Sequence, residues 1–221
     1  MTPVPTVTER APDARPRRSS RARRRDVLRD QLLGAIEDRV AAGEGFASLS
    51  VERLVAEVGV SRSTFYVYFE DKGDLLRAWF AEIHGQLSAA ATRWWALDTD
   101  ATEAGLRAAL EHIVLTYRPH VVLMAEMYDA AVYDEAVREE VEQMQKRNTI
   151  GLRNHLRKGQ EEGFVALDLD PEETAAWLTW MAERGLHRRV RHADDEALPM
   201  IVDTYTRIVW NSVYAGAPSR T

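Results

Sequence analysis

Cysteine is absent from all 221 residues, which excludes disulfides, thiolate nucleophiles and thiolate metal ligands together. No apolar run approaches the roughly 18 residues that a membrane-crossing helix needs. The arginines near the start are not followed by the apolar stretch of a secretion signal. The chain is therefore expected to have no membrane partner and to stay in the cytoplasm, a reducing compartment that suits its composition. Catalytic patterns are also missing. His84, His112, His120, His155, His187 and His192 show no zinc-binding spacing. Gly43-Glu44-Gly45 is a lone glycine pair with no strand before it, and no phosphate loop or nucleophile elbow occurs. The acidic pairs Glu139-Glu140 and Glu161-Glu162 fall on surface helices, where charge is simply solvated. Neither an enzyme, a metal site nor a cofactor is expected.

Strand-like alternation and internal repeats are lacking too, and helical spacing runs throughout. Val27, Leu28, Leu32, Ile36 and Val40 mark a helix over 26–43. Leu75, Leu76, Trp79, Phe80, Ile83 and Leu87 mark a long one over 71–97. A helix opening around Thr99–Glu103 should stop near Pro119, which cannot continue the hydrogen-bond ladder. A short helix over 119–129 and a long one over 132–162, closed by Gly163, follow. Asp170-Pro171 with Glu173 combines an N-cap, a first-turn proline and a capping acid, so a helix should run to about 191. The last helix starts at Asp194-Asp195. The fold class is all-α.

The stretch from Ser50 to Lys72 carries the most information. Ser50 is a good N-cap, and Leu49 with Leu54 forms a hydrophobic staple. Gly59 can take the left-handed conformation that ends the helix. Ser61 caps a second helix over 62–68, and Asp71 caps a third, with Asp74 approximating a capping box. Two short helices about a three- to four-residue turn can place one helix end in the major groove. Arg62, Ser63, Thr64, Tyr66, Tyr68 and Lys72 crowd cationic, hydroxyl and aromatic groups onto that end. Hydroxyls and helix N-termini suit phosphate oxygens, and Arg62 can reach a guanine edge with two hydrogen bonds.

This segment resembles the DNA-binding domain of the TetR family of bacterial transcriptional regulators. The matching residues are Leu54-Val55-Ala56, Gly59-Val60-Ser61, Thr64-Phe65-Tyr66, Tyr68-Phe69, Lys72 and Asp74-Leu75-Leu76. Arg62 stands where many members have Gly, and Gly73 where an acid is usual. The resemblance implies about nine helices: a three-helix helix-turn-helix domain, then a helical ligand-binding and dimerisation domain. It implies Ser50, Ser61, Arg62, Ser63, Thr64, Phe65, Tyr66, Tyr68 and Lys72 as DNA contacts, with Tyr68 and Lys72 on phosphates. The segments Glu172–Arg184 and Ile208–Tyr214 are similar to the last two helices of the ethionamide-resistance repressor subgroup. Thr179 and Ala182 stand where that subgroup has two pocket asparagines, so its ligand does not transfer.

Charge supports nucleic acid through its distribution. Net charge is −6 and the pI about 5.6. Within residues 1–25, however, eight arginines (10, 15, 17, 18, 21, 23, 24 and 25) oppose only Glu9 and Asp13, leaving +6 there and −12 elsewhere. Residues 1–25 are expected to form a disordered arm that hooks phosphates, with Arg23, Arg24 and Arg25 nearest the DNA. The domains are then 1–25, 26–75 for DNA binding, and 76–221 for ligand and dimer. Trp94, Trp95, Tyr117, Met124, Met127, Tyr128, Met144, Trp177, Trp180 and Met181 are the expected lining of a pocket for an apolar small molecule. Trp177, Arg184, Tyr205, Ile208, Val209 and Ser212 are the expected two-fold interface. The expected function is a ligand-released repressor, binding a palindromic operator in double-stranded DNA as a homodimer and nucleoid-associated when bound. An activator, or a helical adaptor without specific DNA binding, is the alternative.

Overall fold

The structure, a computed structural model, describes residues 20–217. Nine α-helices occur among the described residues: α1 Ser20–Ala41, α2 Val51–Glu57, α3 Arg62–Tyr68, α4 Lys72–Trp95, α5 Glu103–Tyr117, α6 Val121–Ala130, α7 Glu135–Glu162, α8 Pro171–Gly185 and α9 Ala197–Val213. The described residues include no strand.

Their ends follow the capping chemistry. Ser50 accepts from the Arg53 amide at 3.3 Å, and Ser61 from the Thr64 amide at 3.1 Å. Asp71 accepts from the Asp74 amide at 2.6 Å, while Asp74 reaches back to the Glu70 amide at 3.1 Å. Asp170 takes the Glu172 and Glu173 amides at 2.8 and 2.9 Å. Each bond satisfies an amide that the helix itself leaves unpaired. Gly59 and Gly163 turn the chain at φ 69° and 80°, the left-handed region that a side chain resists.

Three boundaries differ from expectation. α1 begins at Ser20, so Arg21 to Arg25 are helical. Arginine is a good helix former, and a helix anchored by buried Leu28, Leu32 and Ile36 extends outward readily. The arm arginines 10, 15, 17 and 18 lie outside the described residues. α7 starts at Glu135, because Val132 and Tyr133 form an exposed turn before the Asp134 cap. α8 ends at Gly185 and continues as a π-helical turn, Leu186–Val190.

The core runs from the three N-terminal helices into the body without a break. Leu32, Ile36, Leu54, Phe65, Leu75, Phe80, Met124 and Met127 belong to one buried cluster. The boundary expected at residue 75 thus falls inside both a continuous helix and a continuous core. A second cluster joins Trp94, Leu106, Leu152, Leu156, Leu178, Val209 and Val213 at the far end.

Two polar contacts tie these parts together. At the near end, a 3-10 turn, Phe46–Ser48, is held from both sides. The Lys72 ammonium donates to the carbonyls of Phe46, Ala47 and Leu49 at 2.8, 2.7 and 2.8 Å and lies over the Phe46 ring. Burial lowers its pKa. The buried Glu126 carboxylate of α6 accepts the Phe46 amide at 2.8 Å. Lys72, for which a phosphate contact is expected, here spends its three N–H donors on these carbonyls. At the far end, the Tyr214 hydroxyl accepts from Trp94 Nε1 and meets His155 Nε2, both at 2.8 Å, while His155 Nδ1 meets the Trp95 carbonyl at 3.1 Å. The set is satisfied when His155 is neutral and carries its proton on Nδ1. Burial pushes the His155 pKa down to about 4, with Lys158 adding to the shift.

Two predictions follow from these ties. The folded pKa of His155 lies below the ordinary 6.5, so between those values the unfolded chain binds more protons. Stability from this group is full above about pH 6.5 and falls by up to about 3 kcal/mol as pH drops toward 4. His155→Gln should flatten that decline in urea unfolding from pH 7 to 4; parallel curves would refute it. Lys72→Met should lower unfolding stability at neutral pH by about 1–2 kcal/mol, because buried carbonyls lose their donor. An unchanged urea midpoint would return Lys72 to a surface role.

Candidate nucleic-acid interface and ligand cavity

The amphipathic α3 divides its residues cleanly. Phe65 is fully buried, edge-on to Tyr66 and tilted on Phe69. This corrects its expected DNA contact: Phe65 anchors the helix from beneath and has no exposed atoms to offer. Ser61, Arg62, Ser63, Tyr66 and Val67 face outward, with Thr64 and Tyr68 half-buried. Arg62 is ion-paired to Glu52 of α2 at 2.6 Å and lies over the Tyr66 ring at 5.5 Å. The exposed guanidinium is thus oriented before any ligand arrives. Ser61 and Ser50 hold their caps, and the Ser61 hydroxyl also bonds Ser63 and Thr64 at 2.8 Å.

The start of α1 lies alongside. Arg21 donates to the Val67 carbonyl at 3.4 Å, and Arg25 lies over the Phe69 ring at 5.2 Å. Arg23 and Arg24 border a shallow concavity with Gln31, Thr64 and Tyr68. The sequence therefore brings its most basic segment beside the exposed end of α3. Arg23 and Arg24 share their concavity with Thr64 and Tyr68, while Arg62 and Tyr66, one helical turn apart, form a separate exposed pair on α3; Phe65 joins neither.

The body contains two adjoining cavities. The larger, about 300 Å³, lies between α5, α8, the π-helical turn and α9. The smaller, about 100 Å³, lies between α4, α5, α6, α7 and α8. Trp94, Ile113, Ala182 and Leu186 wall both. Of the expected lining, Trp94, Trp95, Tyr117, Met124, Tyr128 and Met144 face the smaller cavity and Met181 the larger. Three expectations fail. Met127 is fully buried in the core. Trp177 and Trp180 stand on the outer face of α8, 66% and 54% exposed, because the inward stripe of that helix is Ala175, Leu178 and Ala182. Thr179 and Ala182 both line the smaller cavity.

The polar end of the smaller cavity was not anticipated. Glu183 lies there, its carboxylate accepting from Gln145 Nε2 at 2.6 Å and from the Tyr128 hydroxyl. Burial raises its pKa, against which both hydrogen bonds and Arg184 act. Burial also raises the phenols of Tyr117 and Tyr128, which stay neutral donors. The signal was available: Glu183 stands four residues after Thr179, hence on the same helix face.

The outer face of α8 and α9 is apolar. Trp177 and Trp180 meet edge-to-face at 6.2 Å, Arg184 lies over Trp180, and Met200 and Ile208 are exposed on α9. Trp177, Arg184, Ile208 and Ser212 of the expected interface are at the surface. Val209 is not: it is fully buried against the chain's own core, which corrects that expectation. Tyr205 is half-buried and donates to the Leu178 carbonyl at 3.3 Å.

Comparison with known proteins agrees with this architecture. Residues 38–79 match the model for bacterial regulatory proteins of the tetR family, the span that holds the end of α1, α2, α3 and the head of α4. The nucleoid occlusion factor SlmA of Vibrio cholerae is 24% identical over 174 residues, 77% of this chain and 87% of that one. A TetR-family transcriptional regulator from Rhodococcus sp. superposes with a TM-score of 0.64 at 23% identity, covering 85% of this chain and 98% of that one. A transcriptional regulator from Saccharomonospora viridis in complex with choline gives 0.66 at 16% identity, covering 89% and 99%. The chain shares its fold with TetR-family transcriptional regulators, and its helix-turn-helix segment matches the model for bacterial regulatory proteins of the tetR family.

Proposed function

We propose that the chain is a homodimeric repressor that binds a two-fold operator in bacterial chromosomal DNA and leaves it when an apolar small molecule fills the body cavity. The observation that carries this reading is α3 itself. Its apolar anchor, Phe65, is wholly internal, while Arg62, Ser63 and Tyr66 are exposed and Arg23 and Arg24 border Thr64 and Tyr68 of the same helix. Arginine can read a guanine edge, and hydroxyls and flanking arginines can hold phosphates. One such helix covers too few base pairs for useful specificity, whereas two related by symmetry read a palindrome. The exposed Trp177, Trp180, Met200 and Ile208 supply an apolar face suited to a second copy.

The release mechanism rests on α4 and α6. α4 is 24 residues long, about 36 Å at the usual rise. It begins beside α3 and ends at the cavity walls Trp94 and Trp95. α6 lines the same cavity with Met124 and Tyr128 and holds the Phe46 amide through Glu126. A ligand that favours one placement of these helices shifts the separation of the two reading heads. Moving the population from almost all bound to almost all free takes about 5.5 kcal/mol of preference between the states. The choline complex of the Saccharomonospora viridis protein supports a small-molecule site in this fold.

Genomic fragments selected by the purified protein should share an inverted repeat. On such a fragment Arg62→Ala should weaken binding by about 1–3 kcal/mol and leave the urea midpoint nearly unchanged, as measured by fluorescence anisotropy. Equal retention of selected fragment and bulk competitor would leave a helical adaptor in place of a DNA reader. For the dimer, Trp180→Glu should shift the sedimenting species toward half the mass; an unchanged sedimentation coefficient would move the interface elsewhere.

A further inference from the structure

The polar end of the smaller cavity carries a statement about what fills it. Glu183 is the one acid lining either cavity among the described residues. Its two known hydrogen bonds come from neutral groups, the Gln145 amide and the Tyr128 hydroxyl, and a carboxylate can accept about four. Beside it stands the Tyr117 side chain, 2% exposed, whose hydroxyl has no hydrogen-bond partner. Buried hydroxyls are rarely left unpaired, because the loss of water is not compensated. Tyr117, Tyr128 and Glu183 line the same cavity; Tyr128 feels the Glu183 charge, and Tyr117 feels Arg191 first and Glu183 second. The surrounding wall is aromatic, Trp94, Trp95, Tyr117 and Tyr128, and ring faces attract cations.

The nearby cations do not fill this place. Arg184 is exposed and laid over Trp180 on the outer surface. Arg191 is also exposed. The His187 ring packs edge-on to Tyr128 and is held toward its neutral form by burial and by Arg191 and Arg184. Next to this end lies the larger cavity, walled mainly by Leu110, Ile113, Val114, Met181, Ile201 and Ile208, with the exposed Arg189 also in its lining.

From this arrangement we propose that the effector is a lipophilic amine, bound as its ammonium, with the nitrogen between Glu183 and Tyr117 and the apolar body in the larger cavity. The inference rests on the ligand-released reading above and names the chemical class that reading leaves open. An ammonium donates one N–H to the Glu183 carboxylate and another to the Tyr117 oxygen, meeting both vacancies at once. A carboxylic acid would bring like charge to Glu183. An alcohol could reach Tyr117 and would leave the carboxylate without a counter-ion.

The test uses the full chain and three probes of equal length, octylamine, octan-1-ol and octanoate, titrated by calorimetry below their aggregation limits. Octylamine should bind at least about tenfold tighter than the other two, as a charge-assisted bond in a sheltered site requires. Glu183→Gln should remove that advantage while holding octan-1-ol within about twofold, which also shows that the variant is folded. Tyr117→Phe should weaken octylamine about threefold or more and spare octan-1-ol. If the three probes bind alike, or if Glu183→Gln leaves octylamine unchanged, the amine assignment falls and the apolar cavity stands. If no probe binds, the cavity reading falls with it.

Discussion

Phe46 is gripped from two sides, and the relation of reading head to body depends on that grip. Its amide goes to Glu126 of α6 and its carbonyl to Lys72 of α4, whose ammonium also gathers Ala47 and Leu49. The turn Phe46–Ser48 leads directly to the Ser50 cap and so sets where α2 begins. From α2, the Gly59 turn sets α3. A half-buried ammonium and a buried carboxylate would each be costly alone. Saturated with backbone partners, they become a joint whose geometry is fixed by hydrogen-bond direction, which the surrounding apolar contacts could not supply.

That joint gives the cavity a physical route to the DNA-facing surface. α4 and α6 both wall the cavity and both reach the joint, α4 through its first residue, Lys72, and α6 through Glu126; in the proposed release, a displaced aromatic wall acts on the head through these bonds. The opposite end of α4 is pinned as firmly, with Trp94 and Trp95 bonded to Tyr214 and His155. A helix fixed at both ends transmits tilt better than one frayed at either. Interiors packed to crystal density respond by switching between arrangements more readily than by deforming smoothly.

The chemistry divides along similar lines. The reading face is built from exposed groups whose orientation is set by neighbours, as Glu52 and Tyr66 set Arg62. The smaller cavity includes groups with bonding capacity to spare, the half-buried Glu183 and the buried Tyr117. In the proposed function, one surface meets a long polyanion and the other takes a small molecule out of water. The acidic body and the basic start of α1 keep these roles apart electrostatically.

Local physics was legible in the chain itself. Serine and aspartate caps, Gly59, Gly163 and Asp170-Pro171 are read from nearest neighbours, because capping is satisfied within three or four residues. They gave the helices, the turn and the exposed end of α3 near their observed places. What required the fold were pairings between distant residues and the sense in which each helix faces. Lys72 reads as a phosphate hook in sequence because nothing local says that the carbonyls of residues 46, 47 and 49 surround it. Trp177 and Trp180 read as pocket walls because aromatic character is visible in sequence and helix rotation is not. Val209 reads as interface for the same reason. The sequence by itself determined the helix ends set by local caps, such as those at Ser50, Ser61, Asp71 and Asp170, since those contacts are short in chain distance. Only the tertiary structure decided which side chains meet, because burial and hydrogen-bond partners depend on packing among segments scores of residues apart.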